Sequence, residues 1–329
     1  FEVTNPKENL CIVVPHLKVG MSPAEIQRHQ KEFISRLLFK MNISSYVAWY
    51  YTPMALQISD HLNPELIVYD CMDELTAFKF APQELKDLEK RLLSKADVVF
   101  TGGYSLYDAK KHQHKNIHPF PSSIDYDHFF QARTIVDEPE DQARIPHRRF
   151  GFYGVIDERM DLALLDSVAS LRSDWNIILI GPVVKIDEKD LPRRKNIHYL
   201  GMKTYEQLPH YLAGWDVAIM PFAKNESTQF ISPTKTPEFL AAGKPVISTS
   251  INDVVRQYKD VVHFADSPEE FVSAAEQKIV RDEAWLAKVD GLLKDNSWDK
   301  TWKRMEEIMR LALAGNVNKF STEIREEYV

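Results

Sequence analysis

Ile231-Ser232-Pro233-Thr234-Lys235-Thr236-Pro237-Glu238-Phe239-Leu240-Ala241-Ala242-Gly243-Lys244-Pro245-Val246-Ile247-Ser248-Thr249 reads as a polar loop, a short helix closed by Gly243, a proline-marked corner and a buried strand. Two helix starts fit. Ser232 can cap with Pro233 first, or Thr236 can cap with Pro237 first; the second avoids an interior proline. Either start brings Lys235 and Glu238 close to one helix mouth. In an open parallel sheet the carboxyl ends of the strands line the ligand crevice, and a helix N-terminus there can receive a phosphate. Lys235 adds positive charge, and Glu238 can accept hydrogen bonds from vicinal hydroxyls. An ordinary surface cap with an i,i+3 charge pair fits the local pattern equally well.

Working outward, the second half repeats a rhythm of strand, sharp turn and helix, the mark of a parallel sheet covered on both faces. The strands are expected at Phe150–Ile156, Trp175–Ile180, Asn196–Gly201, Asp216–Phe222, Val246–Thr249 and Val261–Phe264, with a helix over Pro268–Val280. Gly154, Gly181-Pro182 and Gly201-Met202 fall at the first three strand ends. Arg159, just past the first strand, can grip phosphate oxygens through its planar fork or pair with the acidic residues beside it.

The first half has the same rhythm. Leu10–Pro15, Ser45–Tyr50, Glu65–Tyr69, Asp97–Thr101 and Ile117–Phe120 read as strands, and Ser22-Pro23-Ala24-Glu25 as a capping box opening a helix. Asp70, Asp73 and Glu74 cluster after one strand, where they can cap a turn, orient hydroxyls or take a proton. Gly102-Gly103 is plain turn chemistry or a close approach to a ligand. His112, His114 and His118, alternating with lysines, fit a solvated surface. The stretch Arg133–Arg149 is polar, holds Pro139 and Pro146, and reads as an interdomain linker.

At 329 residues and 44% hydrophobic content the chain fits two α/β domains. The expected division is 1–147, 148–297 and a closing helical segment 298–329 whose tryptophans pack helices. A net charge of -7 argues against a broad nucleic-acid surface. Cys11 and Cys71 read as reduced core residues of a cytoplasmic protein. No segment has the length and purity of a membrane span, and no His, Cys or carboxylate spacing completes a metal site, so none is expected.

The ordered set Ser232-Pro-Thr-Lys235-Thr-Pro-Glu238, Gly154-Val-Ile-Asp-Glu-Arg159, Ile180-Gly181-Pro182, Tyr199-Leu-Gly201 and Gly214-Trp-Asp-Val-Ala-Ile-Met-Pro221 resembles the GT-B glycosyltransferases of family 4. Tyr69-Asp-Cys-Met-Asp73-Glu74 and Phe100-Thr-Gly-Gly103 resemble the bacterial cell-surface polysaccharide group among them. The resemblance implies two Rossmann-like domains facing a cleft, with acceptor on the first and sugar nucleotide on the second. The first domain lacks the group's first strand and glycine-rich acceptor loop, as in an incomplete chain or a reduced domain.

By that resemblance Glu238 would hold the ribose, Arg159 and Lys235 the diphosphate, and the turns at Gly181-Pro182 and Gly201-Met202 the base. Gly154 and Thr234 would border the donor, and Asp73 would place an acceptor hydroxyl. The expected donor is a UDP-sugar or a GDP-sugar, UDP preferred, with no separate cofactor. The expected acceptor is a glycan or lipid-linked glycan, reached without a metal and with retention, in the cytoplasm or at the inner face of the cell membrane. Two departures stand out: the family's first glutamate falls on Phe230, and its arginine-plus-lysine pair is here Arg159 followed by Met160. A nucleotide-sugar epimerase or hydrolase, or a non-catalytic binder, are the competing readings.

Overall fold

The computed structural model describes residues 2–78, 81–277 and 282–327, with side chains to 315. The chain opens on an antiparallel hairpin, β1 (Glu2–Lys7) and β2 (Leu10–Val14), which pairs with neither larger sheet. A four-stranded parallel sheet follows in the order β3 (Val47–Tyr50), β4 (Leu66–Cys71), β5 (Val98–Thr101), β6 (Ile117–Pro119). The second sheet has six strands, β7 (Arg149–Tyr153), β8 (Asn176–Ile180), β9 (Ile197–Tyr199), β10 (Val217–Met220), β11 (Val246–Ser248) and β12 (Val262–Phe264). They lie in the order β12-β11-β10-β7-β8-β9, all parallel. The order reverses beside β7, and that switch point opens a crevice at the carboxyl ends of β7 and β10.

Continuous apolar runs build both sheets. β10 and β11 are buried at every position, as strands covered on both faces must be. On the first sheet, helix Leu85–Lys95 buries Leu85, Leu88, Leu92 and Leu93, a single stripe at helical spacing. The opposite face, over Leu66, Val68, Val98 and Phe100, is covered by Met305, Ile308 and Met309 of helix Trp298–Glu327. The expected helix Pro268–Val280 spans Pro268–Glu276, and Val280 lies outside the described residues.

Several expectations need correction. Leu10–Pro15 forms the expected strand, β2, but on an outlying hairpin with alternating exposed and half-buried positions, so Cys11 is half-buried rather than a core residue, while Cys71 is buried. Helix Pro23–Lys40 has its capping box but no buried residue. The polar stretch before β7 is docked rather than free. Gln142 donates to the Tyr211 carbonyl and accepts from Trp215 Nε1, both at 2.9 Å, and buried Arg149 pairs with Glu138 at 2.6 Å, so polar side chains there serve as packing contacts. The histidines also divide: His112 is exposed, while His114 and His118 are half-buried, His114 against the Ala96 carbonyl at 2.9 Å.

Candidate functional site in the interdomain cleft

The opening motif forms helix Lys235–Ala241, with Thr234 as its N-cap, so neither expected start is used. Pro237 sits in the first turn, where backbone N–H groups lack intrahelical acceptors and a proline costs little. The helix mouth is turned toward the first domain. Between them lies a cavity of about 280 Å³ walled by Asp73 and Gly102 on one side and by Gly154, Arg159, Thr234 and Lys235 on the other.

Arg159 follows the end of β7. Buried Asp157 accepts from its Nε at 3.0 Å and its Nη2 at 2.8 Å, which holds the guanidinium rigidly and leaves the Nη1 edge outside this pair. The hydrogen bonds to Asp157 raise the Arg159 pKa further, so the group stays charged. Lys235 Nζ lies 3.1 Å from Glu238 Oε2 and 5.0 Å from the centroid of Tyr153. Glu238 is 8% exposed and also accepts from Tyr153 Oη at 2.5 Å. Burial pushes its carboxyl above the usual range, against the opposing pull of Lys235 and Tyr153.

Gly154, Gly181 and Gly201 meet at adjacent strand ends. Gly181 N–H donates to the Gly201 carbonyl at 2.9 Å, and Ile156 N–H to the Pro182 carbonyl at 2.9 Å. Gly181 has φ +138, and a Cβ there would stand 1.9 Å from the Gly154 carbonyl oxygen, so the two turns close only with glycine. Met202 is 73% exposed beyond them. Gly154 lines the cavity, and the turns at Gly181-Pro182 and Gly201-Met202 lie outside its wall.

The three clustered carboxylates separate. Asp73 faces the cavity; burial raises its pKa while Arg159 across the cleft pulls it back. Glu74 turns away to Lys110 Nζ at 2.8 Å, which Glu89 also contacts at 2.9 Å; burial opposes ionisation of Glu74, but these bonds hold its pKa below the usual value. Asp70 is buried on the face under the last helix, where it accepts from Trp49 Nε1 at 3.2 Å, and burial lifts its pKa to about 6.

Sequence reasoning missed Tyr153, whose place between two glycines hid it, and the Tyr205–His128 stack at 4.0 Å, formed by residues far apart in the chain. It also left Phe230 unexplained. That side chain packs against the first domain's core cluster, so where the resembled family carries a glutamate this chain has an apolar interdomain contact. Among the described residues, no group of three or more His, Cys, Asp or Glu side chains converges as a cation site, and no helix is long and apolar enough to cross a membrane.

Residues 147–280 match the family described as "Glycosyl transferases group 1". The chain is 24% identical over 278 residues to the Bacillus subtilis (strain 168) protein named "Putative teichuronic acid biosynthesis glycosyltransferase TuaH", covering 78% of this chain and 70% of that one. Among solved structures it resembles sucrose-phosphate synthase from Thermosynechococcus elongatus, with TM-score 0.68, 15% identity and 95% and 86% of the two chains covered. It also resembles a glycosyltransferase from Rickettsia africae ESF-5, with TM-score 0.63, 13% identity and 91% and 84% covered. Another is a UDP-forming trehalose-phosphate synthase from Burkholderia xenovorans, with TM-score 0.62, 13% identity and 87% and 78% covered.

Two Rossmann-like domains about a cleft, with this second-half match, make the chain a GT-B-fold glycosyltransferase that moves a sugar from a nucleotide-sugar donor to an acceptor. Within that class it is related to bacterial polysaccharide-biosynthesis enzymes.

Proposed function

We propose that the chain transfers a glycosyl group from a nucleoside-diphosphate sugar, UDP before GDP, to a glycan or lipid-linked glycan, with retention at the anomeric carbon. The observation that carries this reading is the convergence of Arg159 and Lys235 on one cavity wall, with Asp73 on the facing wall. Two cations and a helix mouth suit a diphosphate, and a hydroxyl-orienting carboxylate suits the acceptor. UDP is favoured by the UDP-forming synthase among the structural neighbours and by the neighbouring HepE of Anabaena, whose structure was obtained with UDP.

In this reading the ribose hydroxyls donate to Glu238 and displace Lys235, which swings to the diphosphate. Arg159, already fixed by Asp157, offers its Nη1 edge to the same oxygens. The bond from the anomeric carbon to the phosphate oxygen breaks and its electron pair leaves on the nucleoside diphosphate, where the two cations stabilise the growing charge. The acceptor oxygen bonds to the same face of the carbon, and its proton passes to the departing phosphate oxygen. Asp73 orients the acceptor hydroxyl, and domain closure keeps water out.

Peripheral contact with the inner face of the cell membrane fits the exposure of Leu17, Val19, Phe39 and Met41 in the first domain. Co-flotation with anionic vesicles tests it: a chain that stays at the bottom of the gradient rules the contact out.

Calorimetric titration with UDP, GDP and ADP, followed by donor turnover with and without glycan acceptors, tests the main reading. Selective UDP binding and acceptor-dependent turnover are expected. Turnover indifferent to acceptors would replace it with a hydrolase, and absence of binding by all three nucleotides with a non-nucleotide function.

A further inference from the structure

Helix Tyr104–Lys110 in the first domain begins at Gly103, which has no side chain to cap it. The cap comes from the other domain. Asp253, 0% exposed and in the first turn of helix Asn252–Tyr258, accepts from Tyr104 N–H and Ser105 N–H, each at 2.8 Å, and from Ser105 Oγ–H. One carboxylate thus lies between two helix N-termini belonging to opposite domains, and both partial positive ends favour its charge. Gly103 makes the approach possible: a Cβ there would stand 2.2 Å from Asp253 Oδ2 and 2.8 Å from Ser232 Cβ.

This junction is continuous with both cavity walls. Gly102 lies one residue before the cap and packs on the Met72 carbonyl, where a Cβ would come within 2.5 Å, so it is coupled to the turn that carries Asp73. Ser232 lines the same cavity and accepts through its carbonyl from Ser122 Oγ at 3.1 Å. Phe230 anchors the same donor-side loop on the first domain's core. The neighbouring Arg256–Asp108 pair, 2.9 Å long, is half exposed, and solvent screens it.

We propose that Asp253 is a positioning residue for sugar transfer: by capping the first domain's helix from the second domain, it fixes the separation between Asp73 and the Arg159–Lys235 wall. The proposal rests on the glycosyltransferase reading of the cleft. Asp253 touches neither donor nor acceptor, and its effect falls on the step that needs both walls in register.

Asp253→Asn tests it, because an amide can accept through only one of its two heteroatoms and turns an N–H2 toward a backbone N–H. Three quantities are compared with the unmodified chain: the UDP dissociation constant, kcat for UDP release from UDP-hexoses with a mixed oligosaccharide acceptor pool, and amide exchange at Tyr104 and Ser105. The expected result is UDP affinity within about twofold, kcat lowered about tenfold or more, and exchange at those two amides accelerated about tenfold, the scale of losing charge-assisted hydrogen bonds. Ser105→Ala should move kcat and exchange the same way by less, and Asp108→Asn should leave kcat within about twofold.

Unchanged kcat in Asp253→Asn overturns the positioning role, as does a kcat loss matched by an equal loss of UDP affinity. Unchanged exchange at Tyr104 and Ser105 overturns the interdomain cap itself. An unmodified chain that turns over neither UDP-sugars nor GDP-sugars defeats the donor reading of the cleft and the positioning role with it, while exchange still reports on the cap.

Discussion

Asp70→Asn should stabilise the protein, and more so as the pH rises. Asp70 is buried, it accepts a neutral hydrogen bond from Trp49, and its pKa is lifted from the ordinary 3.8 to about 6. A carboxyl raised in the folded state favours folding when protonated; that contribution is complete below pH 3.8 and is lost as the pH climbs through 6. The displacement corresponds to a penalty of roughly 3 kcal/mol at pH 8 and about half of that at pH 5. Asparagine keeps the shape and an acceptor for Trp49 while removing the charge. Urea denaturation of both proteins at pH 5, 6, 7 and 8 measures the effect. The stability difference should grow in favour of the variant by about 1–2 kcal/mol across that range. A difference that stays flat with pH, or that shrinks as pH rises, would refute the assignment of Asp70 as a desolvated carboxylate.

Glu238→Gln should weaken UDP binding by about tenfold, the scale of exchanging a charged acceptor for a neutral one, and should change the melting temperature little, because burial already works against the ionised form. Calorimetry beside a thermal melt checks it, and a collapse of the fold with no separate binding defect would make Glu238 a structural cap. Lys235→Ala should lower donor turnover by about tenfold or more; unchanged turnover and affinity would remove it from the diphosphate contact. Arg159→Ala should lower turnover and also stability, since it strands the buried carboxylate of Asp157, so a melt that does not move would contradict the pairing described above. Gly181→Ala should destabilise by more than about 2 kcal/mol, combining a positive φ with a Cβ pressed against the Gly154 carbonyl, and should impair nucleotide binding; chemical denaturation with UDP titration reads both.

Both parallel sheets were legible because most buried strands are short apolar runs, several of them stopped by glycine or proline, as β5 is at Gly102, β8 at Gly181 and β10 at Pro221. The pair Lys235–Glu238 was legible because its members share one helical turn. Relations across long sequence separations were not. Nothing near Asp253 announces that its acceptor groups face Tyr104 and Ser105, and nothing near Phe230 points to the core around Tyr50. Apolar content also misled at the hairpin: Leu10-Cys11-Ile12-Val13-Val14 is a continuous apolar run, yet Leu10, Ile12 and Val14 lie on an outlying ribbon and remain exposed. Thr234 escaped as N-cap because its side chain makes no capping hydrogen bond, the feature by which such residues are recognised.

The arrangement of the last helix sets an order on biosynthesis. The first sheet's strands emerge from the ribosome early, but Met305, Ile308 and Met309, which cover the apolar face of Leu66, Val68, Val98 and Phe100, are made some two hundred residues later. At about 5–20 residues per second that face is uncovered for roughly 10–40 s, while the second domain is translated and can fold around its own strands. The domain synthesised first is therefore completed last, and during that interval it is a natural client for a chaperone that holds exposed apolar sheet.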